Sequence, residues 1–165
     1  MNPKIFVSYN PGVKIEESTA LRLQTISSLY DVTVYLPDRL GTKQLKESTK
    51  DRILNSNIFV MFSTKKLSNS VKSEADFALA NDKQVIILYD HIIGKNINTA
   101  KIKDKNFIEI EYDPERENHI DILNKVLNAS NKKGSDGKML SAIIGVGLGL
   151  LLMWYLSDDE KTDNR

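Results

Sequence analysis

The chain contains no cysteine and only two histidines, His91 and His119. The first absence excludes a disulfide frame, a thiolate nucleophile and any cysteine-ligated metal. The second excludes a histidine-rich metal site. Neither sign of charge is in excess: 23 Lys and Arg stand against 22 Asp and Glu, a net charge of +1. No global basic surplus therefore points to nucleic acid. Also missing are a G-x-G-x-x-G fingerprint, a Walker loop and a G-x-S-x-G partner for either histidine. The first predicted strand is followed by Ser8 and Tyr9 rather than by an acidic pair, which disfavours response-regulator chemistry. No metal and no resident cofactor is expected. The remaining composition, 41% hydrophobic and 27% charged over 165 residues, is that of a globular protein able to bury a core.

One long apolar run breaks that average. Residues 139–156 read MLSAIIGVGLGLLLMWYL, without a charge. As a helix at about 1.5 Å per residue they span roughly 27 Å, near the thickness of a bilayer core. Trp154 and Tyr155 stand at one end, where amphipathic rings prefer the interface. The reading is a single-pass membrane anchor. Lys125, Lys132, Lys133 and Lys138 lie upstream, against Lys161 and Arg165 downstream, so the N-terminal domain is expected to be cytoplasmic. Residues 131–138 read as a linker and 157–165 as an acidic tail. Ser141, Gly145 and Gly149 recur every four residues, a stripe that permits helix self-association in the membrane.

Residues 1–130 alternate strand and helix patterns. Apolar or β-branched runs at 5–7, 32–36, 58–62, 85–88 and 107–110 predict five strands. The run at 58–62, IFVMF, predicts a central strand covered on both faces, and the amphipathic 107–110 an edge. Helical spacing predicts helices over 15–29, 43–54, 69–80 and 115–127. The third carries Val71, Ala75, Ala78 and Leu79 on one face; the last turns Ile120, Leu123 and Leu127 inward. Such alternation makes a parallel sheet flanked by helices, with ligands bound outside the carboxyl ends of the strands.

The loops at those ends hold the candidates. Ser8-Tyr9-Asn10-Pro11-Gly12 follows the first strand, either a ligand-facing loop or an ordinary turn. Ser63 follows the third strand. Glu74 lies among Val71, Phe77 and Ala78 at helical spacing. Burial there would raise its pKa and suit it to acid, base or ion-pair chemistry. A solvated surface glutamate is the alternative.

Together, KIFVSYN, the stretch VYLPDRLGTKQLKESTKDRILNSNIFVMFSTKKL, SVKSEADFALA and KQVIILYD resemble the TIR (Toll/interleukin-1 receptor) domain family, microbial type, over about residues 3–129. Ser70 stands where many members carry tryptophan. Nucleoside deoxyribosyltransferases resemble the same pattern and share a helix glutamate. The resemblance implies an α/β, flavodoxin-like, parallel five-stranded sheet with flanking helices. Many TIR domains cleave NAD+ at the nicotinamide–ribose bond with the glutamate of the third helix, here Glu74, in immune or phage-defence signalling. Ser8, Tyr9, Asn10, Asp38, Arg39, Gly41 and Ser63 would then line the nucleotide pocket, with NAD+ as substrate. Phe6 is expected to be core. The resemblance also admits a non-catalytic module that assembles through its TIR surfaces, or a nucleotide sensor driving a membrane-disrupting effector.

Overall fold

A computed structural model describes residues 2–39, 44–92 and 107–131. In chain order the elements are β1 (Lys4–Ser8), α1 (Lys14–Ser27), β2 (Thr33–Tyr35), α2 (Glu47–Leu54), β3 (Ile58–Phe62), α3 (Asn69–Ala80), β4 (Gln84–Asp90), β5 (Phe107–Tyr112) and α4 (His119–Asn131). One turn of 3-10 helix, Ser28–Tyr30, follows α1. The five strands form one sheet in the order β2-β1-β3-β4-β5, and every pairing is parallel. This is a flavodoxin-like order, the fold the resemblance implies, with its switch point between β1 and β3.

Side-chain alternation along the strands builds two cores. Ile5, Val7, Ile58, Val60, Ile86 and Leu88 face α1 and α4. Phe6, Phe59, Met61, Val85 and Ile87 face α2 and α3. All five residues of β3 are buried, as a strand covered on both faces requires. Phe6 is core as expected: it is wholly buried and stacks on Phe59 with centroids 5.5 Å apart. Ile53 of α2 is also fully buried in this second core. Ile53→Val should cost about 0.5–1.5 kcal/mol, read from chemical denaturation; no loss would mean that α2 packs more loosely than described.

The element ends differ from the sequence expectation for identifiable reasons. α2 begins at Glu47, because Lys46 is extended (ψ 151°) and its ammonium reaches back to Asp38 at 2.9 Å. α4 begins at His119 rather than at 115. Asp113 accepts the amides of Glu115 and Arg116, holding a turn, and Asn118 Oδ1 accepts the Asp121 amide at 2.9 Å as a cap. The inward face of α4 is Ile122, Leu123, Val126 and Leu127; Ile120 is only half-buried. On α1, Leu21 is exposed, and Leu29 just beyond it is more so, while Glu16 and Thr19 are buried in their place.

Among the described residues, no helix is long and apolar enough to cross a membrane. The expected linker, span and tail, with the Ser141, Gly145 and Gly149 stripe, lie outside them, as does Gly41.

Candidate active site

Period-two alternation decides where Ser8 points. It follows Phe6 by two residues and so faces α3 from the carboxyl end of β1. Glu74 is on the inner face of α3, one turn beyond Val71, and only 2% exposed. The Ser8 hydroxyl donates to Glu74 Oε2 at 2.5 Å. Arg39, from the loop after β2, donates through Nε to Oε1 at 3.0 Å and through Nη2 to Oε2 at 2.8 Å. Its Nη1 donates to the Tyr9 carbonyl, and its guanidinium lies 4.8 Å from the centre of the Tyr9 ring. The chain thus brings Ser8, Tyr9, Arg39 and Glu74 together at the β1/β3 switch point.

The electrostatics are those of a buried carboxylate with one cation. Burial pushes Glu74 above the ordinary carboxylate range, while Arg39, by hydrogen bonds and charge, and the Ser8 hydroxyl pull it back. Burial likewise raises Tyr9, opposed by Arg39. A cavity of about 10 Å³ lies before Glu74, bordered by Asp38, Arg39, Lys46, Thr49, Ser70 and Ser73. That is room for about one water. Arg39 occupies both oxygens of the Glu74 carboxylate.

The other predicted residues take different places. Asp38 lines that cavity, but its carboxylate accepts from Lys46 Nζ at 2.9 Å and Ser48 Oγ at 3.1 Å. Its amide donates to Thr49 Oγ1. Asn10 is buried and turned away from Glu74, its side chain spent on Glu16 and on the Ser68 amide. Ser63 is fully buried, its amide bonded to the Leu88 carbonyl. Among the described residues no cluster of three or more His, Asp or Glu could hold a metal.

Two buried polar residues that the sequence pattern did not single out, Glu16 and Thr64, are 0% and 2% exposed, and the Thr64 hydroxyl donates to Glu16 Oε1 at 2.5 Å. An acidic residue in the first turn of a helix ordinarily complements the helix dipole, so Glu16 carried no distinguishing signal.

No family model and no curated protein matches this chain. Among solved structures it is similar to the Clostridium botulinum CMP N-glycosidase BcmB. The TM-score is 0.53 and the identity 19%, over 74% of this chain and 95% of that one. CapF, solved with the inhibitor 3-isopropenyl-tropolone, aligns with a TM-score of 0.43 at 15% identity, over 67% of this chain and 29% of CapF. At such identity the first likeness shows the fold, a parallel α/β domain that also carries a nucleotide-cleaving enzyme.

Proposed function

We propose that this chain is a membrane-anchored, TIR-like domain that cleaves NAD+ at the nicotinamide–ribose bond in immune or phage-defence signalling. The observation that carries the reading is the buried Glu74 carboxylate, with a planar, delocalised cation seated on both its oxygens. Breaking the bond between the ribose C1′ and the nicotinamide nitrogen sends the bonding pair to nicotinamide and leaves an oxocarbenium-like cation. That cation is also planar and delocalised, and a carboxylate in a dry site stabilises it as it forms. Nicotinamide leaves neutral and needs no general acid. Water then attacks C1′, and Glu74 is placed to accept the proton that water loses. Arg39 must first give up its place to the substrate.

Residues 139–156 would hold the domain at the cytoplasmic face of a membrane, where the small-residue stripe and the TIR surfaces would concentrate copies. The test is nicotinamide release from NAD+ by the full chain in liposomes, with CMP as a parallel substrate. Release from NAD+ supports the reading. No release from assembled wild-type protein overturns it, and base release from CMP alone would move the activity to mononucleotides.

A second expectation concerns substrate phosphates. Lys65 and Lys66 are exposed on the loop between β3 and α3, and neither has an ion pair among the described residues. That loop is tied to the β1 loop by the Ser68 amide on Asn10. Replacing both with Ala should raise KM for NAD+ roughly three- to tenfold with kcat little changed, an effect that shrinks in added salt. A fall in kcat at unchanged KM would place them in the chemistry instead.

A further inference from the structure

We infer that Glu16 is a positioning residue for this site, fixing Glu74 and its wall from the opposite face of the sheet. The inference rests on the reading of Glu74 as the catalytic carboxylate. Glu16 belongs to α1, which packs on one face, and Glu74 to α3, on the other. Glu16 is fully buried, and among the described residues no cation pairs with it.

Four donors converge on its carboxylate. Oε2 accepts the Asn10 amide at 2.6 Å. Oε1 accepts Asn10 Nδ2 at 3.1 Å, the Thr64 amide at 3.3 Å and the Thr64 hydroxyl at 2.5 Å. These donors belong to the loops after β1 and β3, the two that flank the switch point. Asn10, Pro11, Gly12 and Val13 make a turn closed by the Val13 amide on the Asn10 carbonyl at 3.2 Å. Gly12 has φ +80°, as the third position of a type II turn requires after proline. The turn brings the third residue of α1 back against Asn10.

From Asn10 the order spreads along two branches. Its Oδ1 accepts the Ser68 amide at 2.7 Å, and Ser68 Oγ caps the Val71 amide at 3.3 Å, one turn ahead of Glu74. In the other direction Asn10 follows Ser8 and Tyr9, which hold Glu74 and Arg39. One carboxylate thereby sets both the start of α3 and the wall facing it. Only an ionised carboxylate presents four acceptor positions and no hydrogen. An amide in its place would aim N–H groups at a donor. The four donors to Glu16 belong to the two loops on which the chemistry depends.

The experiment compares Glu16→Gln, Asn10→Ala and their double variant in the full chain. Expected for Glu16→Gln is a fall in kcat for nicotinamide release of about tenfold or more, with KM within about twofold. The Glu74 carboxyl, followed by carbon-13 NMR, should titrate nearer the ordinary range as α3 loosens and water reaches it. The double variant should be little worse than the poorer single one, because the two act through one chain of bonds. Unchanged kcat with an unmoved Glu74 titration overturns the inference, as does a kcat loss that only tracks the unfolded fraction. If wild type releases no nicotinamide, the proposed function fails, but a moved Glu74 titration still supports positioning and an unmoved one ends it. Should Glu16→Gln fail to fold, Thr64→Val removes one donor and must shift kcat and the titration in the same direction to a smaller degree.

Discussion

Glu74→Gln should lower nicotinamide release from NAD+ by about a hundredfold to a thousandfold, the loss typical of removing one electrostatic contact to a developing charge. Glutamine keeps the volume and the hydrogen bond from Ser8, so the α3 packing around Val71, Ala75 and Ala78 survives. The amide presents one acceptor to Arg39, which is partly exposed and can turn its remaining N–H groups to water. Relieving the burial of the carboxylate offsets part of that lost pairing. The variant should therefore fold, with strand and helix circular dichroism unchanged, while the fall appears in kcat rather than KM. Retained cleavage in a folded Glu74→Gln protein would remove Glu74 from the chemistry.

Arg39→Met should destabilise the protein by about 3 kcal/mol at pH 8, the lower end for breaking a buried ion pair because Arg39 itself reaches solvent. The loss should shrink markedly by pH 5. In the wild type, Arg39 opposes the burial that raises Glu74. Without Arg39 the folded-state pKa rises further above the unfolded value. A group raised in the folded state contributes stability that is complete below the unfolded pKa and lost as pH climbs through the folded one. The variant thus falls away from wild type between the ordinary glutamate range and neutral pH. Urea denaturation at pH 5 and pH 8 measures this, and a difference independent of pH would mean that Arg39 supports the fold by packing rather than by charge.

Much of the fold was legible locally. The continuous apolar run of β3 predicts a central strand covered on both faces, and it lies third across the sheet between β1 and β4. The amphipathic β5 is at an edge, as its pattern predicts. Helix beginnings were less legible, because they depend on a single polar atom. Asn118 caps α4 and Lys46 leaves the helix for Asp38, and neither choice shows in hydrophobic spacing. In the site, spacing singled out Glu74 but left its burial open. Asn10 resembled a pocket residue, yet its side chain is consumed by Glu16 and Ser68.

The sequence by itself determined the alternation of strand and helix, the exclusion of cysteine and histidine-rich metal chemistry, and the charge-free apolar stretch at 139–156. These follow from residue type and period, which act over a turn of helix or a few residues of strand. Only the tertiary structure decided which polar groups meet. Ser8 and Glu74 are 66 residues apart in sequence, Arg39 and Glu74 are 35, and Glu16 and Thr64 are 48. Whether a carboxylate is solvated, paired with a cation or held by four donors depends on what the parallel sheet brings beside it. That neighbourhood sets its pKa and its chemistry, and no local pattern records it.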